Sequence, residues 1–334
     1  MVPRILAFVS ACLFLFSGFA QAADKLPVKV FVLIGQSNMQ GQGAVSTLDW
    51  LGEDPTYGHL LSKVKKPDGS FVERDDVWVY YPRREGELKI GRLTVGFGAN
   101  DEKIGPELFF GHVVGDYFEN PVLIVKAAWG GKSLDVDFRP PSAGGEVGPY
   151  YTQTIDIVKQ AVAALPEIIP DYSDRGYEIA GFVWFQGWND YVNADRVAAY
   201  EKNLACFIRD LRKDLGVPNA PFVVGQLGVG GEESAQENQR MADIRKAQAA
   251  VADYPEFKGN VASVPTWKYW DKIAADLVKT YWIKRKWTNP EAQQKFSKMG
   301  NQPPYHYLGN AKIFSLIGYA FGEAMVDLLD SAKK

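Results

Sequence analysis

From Val28 to Ile34 the chain is almost continuously apolar and β-branched, broken only by Lys29, and it ends abruptly on Gly35-Gln36-Ser37-Asn38. A run of this kind is a β-strand buried on both faces, as in a parallel sheet covered by helices. The carboxyl end of such a strand lies at the rim of the sheet, where open α/β folds bind ligands. Ser37 is therefore a candidate nucleophile. The plain alternative is that Ser37 and Asn38 merely end the strand and cap the next segment, as both residue types do.

The rest of the chain supplies a sheet for this strand. Residues 44–75 are rich in Gly, Pro, Asp and Lys and are expected to form a loop-dominated excursion. A short strand is expected at 77–81 and a long polar, glycine-rich loop at 82–104. Gly105-Pro106-Glu107 opens a helix to about Phe118, with Pro and Glu where a first turn accepts them. Further strands are expected at 122–128, 179–185, 222–227 and 260–264, with helices at 149–165, 195–214, 234–252 and about 308–329. A helical stretch at 268–298 is interrupted by Thr288-Asn289-Pro290. Strands alternating with helices predict a parallel sheet with helices on both faces. No clean linker divides the chain, so residues 23–334 are expected to form one domain.

The first residues are expected to stand apart from this fold. Arg4, the apolar stretch Ile5 to Phe19 and Ala20-Gln21-Ala22 have the order of a secretory signal peptide, giving a mature start at Ala23 and a secreted or periplasmic protein. No later run approaches a membrane span, so no membrane association is expected after cleavage. Cleavage removes Arg4 and moves the formal net charge from −3 to −4, which does not suit a nucleic-acid partner. It also removes Cys12. Cys206, among Leu204, Phe207 and Ile208, remains as a core residue, and no internal disulfide is available.

In a parallel sheet the turns after Ile34, Ala128 and Phe185 share one edge. Acyl transfer needs a nucleophile, a base and donors aimed at the oxyanion. Gly130 and Gly131 offer backbone N–H groups, and Gln186 and Asn189 offer side-chain amides; the glycine pair also suits a tight strand-to-helix turn. The base has three candidates. His59 lies in the polar excursion and His112 inside the helix after Gly105. His306 sits in the Pro303-Pro304 loop before the last helix, where a rigid scaffold can present it.

The ordered segments Gly35-Gln36-Ser37-Asn38-Met39, Ala127-Ala128-Trp129-Gly130-Gly131-Lys132-Ser133 and Trp184-Phe185-Gln186-Gly187-Trp188-Asn189-Asp190, followed by a C-terminal histidine before a helix, resemble the SGNH hydrolase superfamily. Within it they look most like the sialate O-acetylesterase-type carbohydrate esterases, including carbohydrate esterase family six. The likeness spans residues 28 to 326. It implies a three-layer α/β/α sandwich with a flavodoxin-like parallel sheet, and hydrolysis of O-acetyl esters on carbohydrates such as acetylated sialic acid or xylan. It also implies Ser37 as nucleophile and His306 as base. The oxyanion hole would be formed by the Ser37 and Gly130 or Gly131 amides with Asn189 or Gln186. The acid usually found three residues before the histidine is replaced by Pro303, and no Asp or Glu occurs between Lys298 and His306. The orienter of His306 is thus open between a backbone carbonyl in 301–304 and a carboxylate from elsewhere, with Asp190 and Asp271 as candidates.

Trp129 and Trp188, beside the oxyanion donors, are candidates for a sugar platform, as are Trp267, Tyr269 and Trp270, although aromatics also fill cores. Arg83, Arg84 and Arg92 either read an acidic sugar or form a solvated charge run. No His-Glu-x-x-His motif, Walker-type loop or dinucleotide pattern occurs, so neither metal nor cofactor is expected. Two other functions fit the same residues: a secreted carbohydrate-binding protein with a degenerate site, and an SGNH lipase or thioesterase.

Overall fold

The computed structural model describes residues 25–84, 86–170, 172 and 175–333. The expected signal segment and Cys12 lie outside them. The sheet has seven strands: β1 (Val28–Gly35), β2 (Val77–Arg84), β3 (Glu87–Arg92), β4 (Val122–Ala128), β5 (Tyr177–Phe185), β6 (Phe222–Gly225) and β7 (Val261–Val264), in the order β3-β2-β4-β1-β5-β6-β7. All neighbours run parallel except the edge pair β2–β3.

β1 is central because both its faces can be buried. Val28, Val30, Val32 and Ile34 face one helical layer, α3 (Pro149–Ala163), α4 (Ala194–Asp214) and α6 (Gln239–Ala250). Phe31 and Leu33 face the other, α2 (Glu107–Tyr117) and α9 (Ala311–Ser331). Each such side chain contributes roughly 1.5–3 kcal/mol by leaving water. This is the three-layer α/β/α arrangement.

Register then decides where the site lies. Gly35 pairs with Ala128 on one side and Phe185 on the other, so the three strands end in one row. The chain leaves β1 toward β2 and β4 on one side and toward β5 to β7 on the other. That reversal opens a crevice at the carboxyl end of β1.

The structure differs from expectation at several places. The 82–104 loop contains β3, whose pairing with β2 shifts register between Pro82 and Arg84. Its Leu88 and Ile90 remain exposed, so it lacks the apolar signature of the inner strands. Arg83 is buried and bonded to Glu87, Asp101 and the Gly96 carbonyl, so it is a bracket of this edge. The 44–75 excursion is largely short helical turns. Its Leu48 and Leu51 are buried in the same layer as α9, and Thr47 Oγ1 accepts from Ala311 N at 3.1 Å. Between 268 and 298 a hairpin, Trp282–Ile283 paired with Lys286–Trp287, separates α7 (Lys272–Tyr281) from α8 (Pro290–Ser297). The 234–252 helix is split by Asn238 into α5 (Glu233–Glu237) and α6, where Asn238 caps Met241 N. The last helix starts at Ala311, because residues 306–309 form a separate turn. Among the described residues no helix is long and apolar enough to cross a membrane.

Candidate active site

Ser37 opens α1 (Ser37–Gln40), a single helical turn set directly on the end of β1. Gly35 permits this position. A Cβ there would fall 2.2 Å from the Phe185 carbonyl oxygen, so a larger residue would push β1 away from β5. Beneath α1, Lys126 Nζ donates to the Gln40 carbonyl (3.0 Å), the Phe97 carbonyl (2.7 Å) and Glu107 Oε2 (2.8 Å), with both charged side chains fully buried.

Ser37 and Asn38 share a cleft of about 70 Å³ with Trp188, Val229, Pro304, Tyr305 and His306. Of the three histidines only His306 is there. His59 is exposed on the excursion, and His112 is buried in α2 against Phe109.

An unusual turn presents His306. His306, Tyr307 and Leu308 have φ of 47°, 53° and 65°, which non-glycine residues rarely adopt and which cost of order 1–3 kcal/mol each. Tyr307 holds them there. Its ring is fully buried among Phe185, Trp270 and Phe314, and its hydroxyl accepts from Gly228 N at 2.8 Å and lies 3.1 Å from Thr266 Oγ1. Burial pushes that phenol up to about 12, so it stays neutral.

His306 Nδ1 lies 2.7 Å from Gln302 Oε1. An amide oxygen only accepts, so Nδ1 carries the proton and Nε2 keeps its lone pair. Gln302 is itself fixed, donating through Nε2 to Gln42 Oε1 at 3.2 Å. Burial, and then the nearby Lys103 ammonium, hold the His306 imidazole below its usual range. Sequence reasoning looked for a carboxylate or a backbone carbonyl and passed over this glutamine, four residues upstream.

Neither acidic candidate holds His306. Asp190 is fully buried and committed elsewhere: Oδ2 accepts from Leu134 N (2.8 Å) and Gln186 Nε2 (2.6 Å), and Oδ1 from Asp135 N (3.0 Å). Its carboxyl is pushed up to about 6 by burial. Asp271 caps α7 through Ala274 N and binds Trp50, Asn310 and Lys312.

The two amides also separate. Gln186 Nε2 has two hydrogens facing three acceptors, the Lys132 carbonyl, Asp190 Oδ2 and Gln36 Oε1, so none is left for a substrate. Asn189 Nδ2 gives one hydrogen to the Gly131 carbonyl (2.8 Å) and retains the other, while its Oδ1 accepts from Gln36 Nε2 (3.0 Å). Gln36 is a second residue that sequence reasoning undervalued. Its Oε1 also accepts from the backbone N–H groups of Gly187 and Asn189, joining the turn after β1 to the turn after β5.

Gly130 stands against the nucleophile turn. A Cβ on it would lie 3.8 Å from Ser37 Cβ and 3.0 Å from Gln40 Oε1. Gly131, with φ of 73°, faces open space at that position. Of the two tryptophans, Trp188 is 38% exposed at the cleft, whereas Trp129 packs on Phe138 and Tyr150 and is not part of the cleft lining.

A family model described as carbohydrate esterase, sialic acid-specific acetylesterase, matches residues 27–262. The cleft residues Pro304, Tyr305 and His306 lie beyond that span. A probable carbohydrate esterase of Arabidopsis thaliana is 22% identical over 208 residues, 61% of this chain and 71% of its own. A crystal structure of an Arabidopsis thaliana protein matches with a TM-score of 0.55 and 15% identity, covering 90% of this chain and 98% of that one, a likeness of fold. A novel carbohydrate acetylesterase from Xanthomonas citri matches at a TM-score of 0.46 and 16% identity, over 71% of this chain and 49% of its own.

Proposed function

Because the chain belongs to the carbohydrate esterase family of sialic acid-specific acetylesterases, and is thus a carboxylic ester hydrolase, we propose that it is an exported serine esterase that removes O-acetyl groups from glycans. In this reading Ser37 is the nucleophile and His306 the base. The observation that carries it is the meeting of Ser37 and His306, from opposite ends of the chain, in one small cleft at the carboxyl end of the central strand.

These roles give an ordinary acyl-transfer sequence. His306 Nε2 takes the Ser37 hydroxyl proton while Oγ attacks the acetyl carbonyl carbon. The carbonyl π pair moves onto oxygen. That oxyanion is met by the N–H groups of Ser37 and Gly130 and the uncommitted N–H of Asn189. Collapse breaks the bond to the sugar oxygen, which takes the proton from His306. Water, deprotonated by His306, then attacks the acyl carbon; the bond to Ser37 Oγ breaks, Oγ takes the proton back from His306, and acetate is released. Each oxyanion donor is worth about 10²–10³ in turnover.

The test is acetate release from acetylated xylan and O-acetylated sialic acid by the wild type, Ser37→Ala and His306→Ala. Release by the wild type, with loss of about 10³-fold or more in both variants, supports the assignment, and the better substrate names the sugar. Equal rates in wild type and Ser37→Ala sink it. The neutral amide at Gln302, with no Asp or Glu between Lys298 and His306, favours one alternative, a carbohydrate-binding protein without turnover. Sugar binding with no hydrolysis of even 4-nitrophenyl acetate would select that alternative.

A further inference from the structure

The cleft at Ser37 and His306 is about 70 Å³, well below the roughly 300–1,000 Å³ of ligand pockets. It has room for an acyl group and little more. The sugar must be held outside it. Val229 and Pro304 also border a second hollow of about 390 Å³ beside α7. Glu233, Trp270 and Lys272 border both this hollow and a third, of about 420 Å³, which ends at Trp267. The three hollows share lining residues and follow one another from the candidate nucleophile past α5 and α7, with the paired Glu233 and Lys272 bordering the second and the third.

Its construction is specific. Gly231, with φ of 66°, lets the turn after β6 lie flat on Trp270; a Cβ there would fall 2.9 Å from the indole. The Trp267 indole N–H donates to Gln226 Oε1 at 3.0 Å, which fixes the ring. The charges at the far end cancel, with Glu232 and Glu233 set against Lys268 and Lys272, and Glu233 paired with Lys272. The Trp267 indole, with Lys268 Nζ over its ring 5.7 Å from the centroid, and the surrounding groups of balanced charge suit a chain of neutral sugars, whose C–H faces lie on indole while hydroxyls meet carboxylates and ammonium groups. A uniformly charged polymer finds no complementary field there.

We propose that this groove binds a neutral oligosaccharide chain beyond the acetylated residue, with Trp267 as its distal contact; the proposal rests on the esterase reading. The test uses acetylated xylo-, manno- and cello-oligosaccharides of two and six residues. The wild type is expected to show kcat/KM on the hexamer about tenfold above the dimer in at least one series, through KM, which a single added contact of ordinary strength supplies. Trp267→Ala is expected to bring that ratio to within about twofold and Trp267→Phe, which keeps a ring, to restore part of it. An alanine-like Phe variant makes the position structural and overturns the stacking role.

Binding is read separately, as quenching of tryptophan fluorescence by unacetylated hexamers in Ser37→Ala, lost in Ser37→Ala/Trp267→Ala. Ratios near one in all three series, with no quenching, overturn the groove while acetate release still stands. Trp267-dependent quenching without any ester hydrolysis keeps the groove and overturns the esterase reading.

Discussion

His306 Nδ1 faces the side-chain oxygen of Gln302 at 2.7 Å, so a neutral amide occupies the place where a carboxylate would stabilise the imidazolium. The amide fixes the ring and its tautomer but offers no charge to the protonated state. Burial, and then the Lys103 ammonium, hold the imidazole below its usual range. The acid limb of kcat/KM is expected below the ordinary histidine value of about 6.5. Gln302→Glu is expected to raise that limb by about one unit or more, with Gln42 turning its amide to donate. Gln302→Ala is expected to lower kcat about 10²-fold, the low end of general-base contributions. A pH–rate profile unmoved by Gln302→Glu would remove Gln302 from the site.

Lys126 and Glu107 form a fully buried pair under α1. Lys126→Met strands the Glu107 carboxylate and is expected to cost about 3–5 kcal/mol. It also releases the Gln40 carbonyl at the end of the nucleophile turn. The double variant Lys126→Met/Glu107→Leu should recover much of the stability, because no charge is left unpaired. Urea unfolding of the three proteins checks this; a single variant as stable as wild type would refute it.

Asp190 is expected to matter for stability more than for proton transfer. All its partners are donors, so Asp190→Asn turns an amide N–H₂ against an N–H. A loss of about 2–3 kcal/mol is expected, measured near pH 8, above the value of about 6 to which burial pushes this carboxyl. If Asp190 oriented His306 instead, the variant would keep its stability and change the pH–rate profile.

His112, 2% exposed with its Nε2 unpartnered, is pushed down to about 4, chiefly by burial and then by the Arg74 charge. Unfolded, it titrates near 6.5. Between those values the unfolded chain holds more protons, so stability falls as pH drops from about 6.5 to about 4, by about 3 kcal/mol in all. His112→Leu removes this contribution. The stability difference between variant and wild type should therefore grow across that window and level off below it. A difference independent of pH would refute the assignment.

The sequence by itself determined the sheet and its loaded edge. Apolar runs ending in polar or glycine turns at Ser37, Gly130 and Asn189 required a parallel sheet, and parallel strands bring such turns to one side. The rarity of histidine then left His306 as the choice for the site. The tertiary structure decided what those residues touch. Gln302 meets His306 because the 301–309 loop folds back on itself, with Asn301 N and Gln302 N bonded to the Leu308 carbonyl. Gln186 is withdrawn and Asn189 left with a spare N–H by bonds to Gln36, Asp190 and the 131–132 backbone, from other strand ends. Trp129 packs half-buried against Phe138 and Tyr150 at the margin of the core, while Trp188 stays at the cleft. Periodicity reports which face of an element is buried; it carries no information about which polar atoms, far apart in the chain, satisfy one another once those faces have packed.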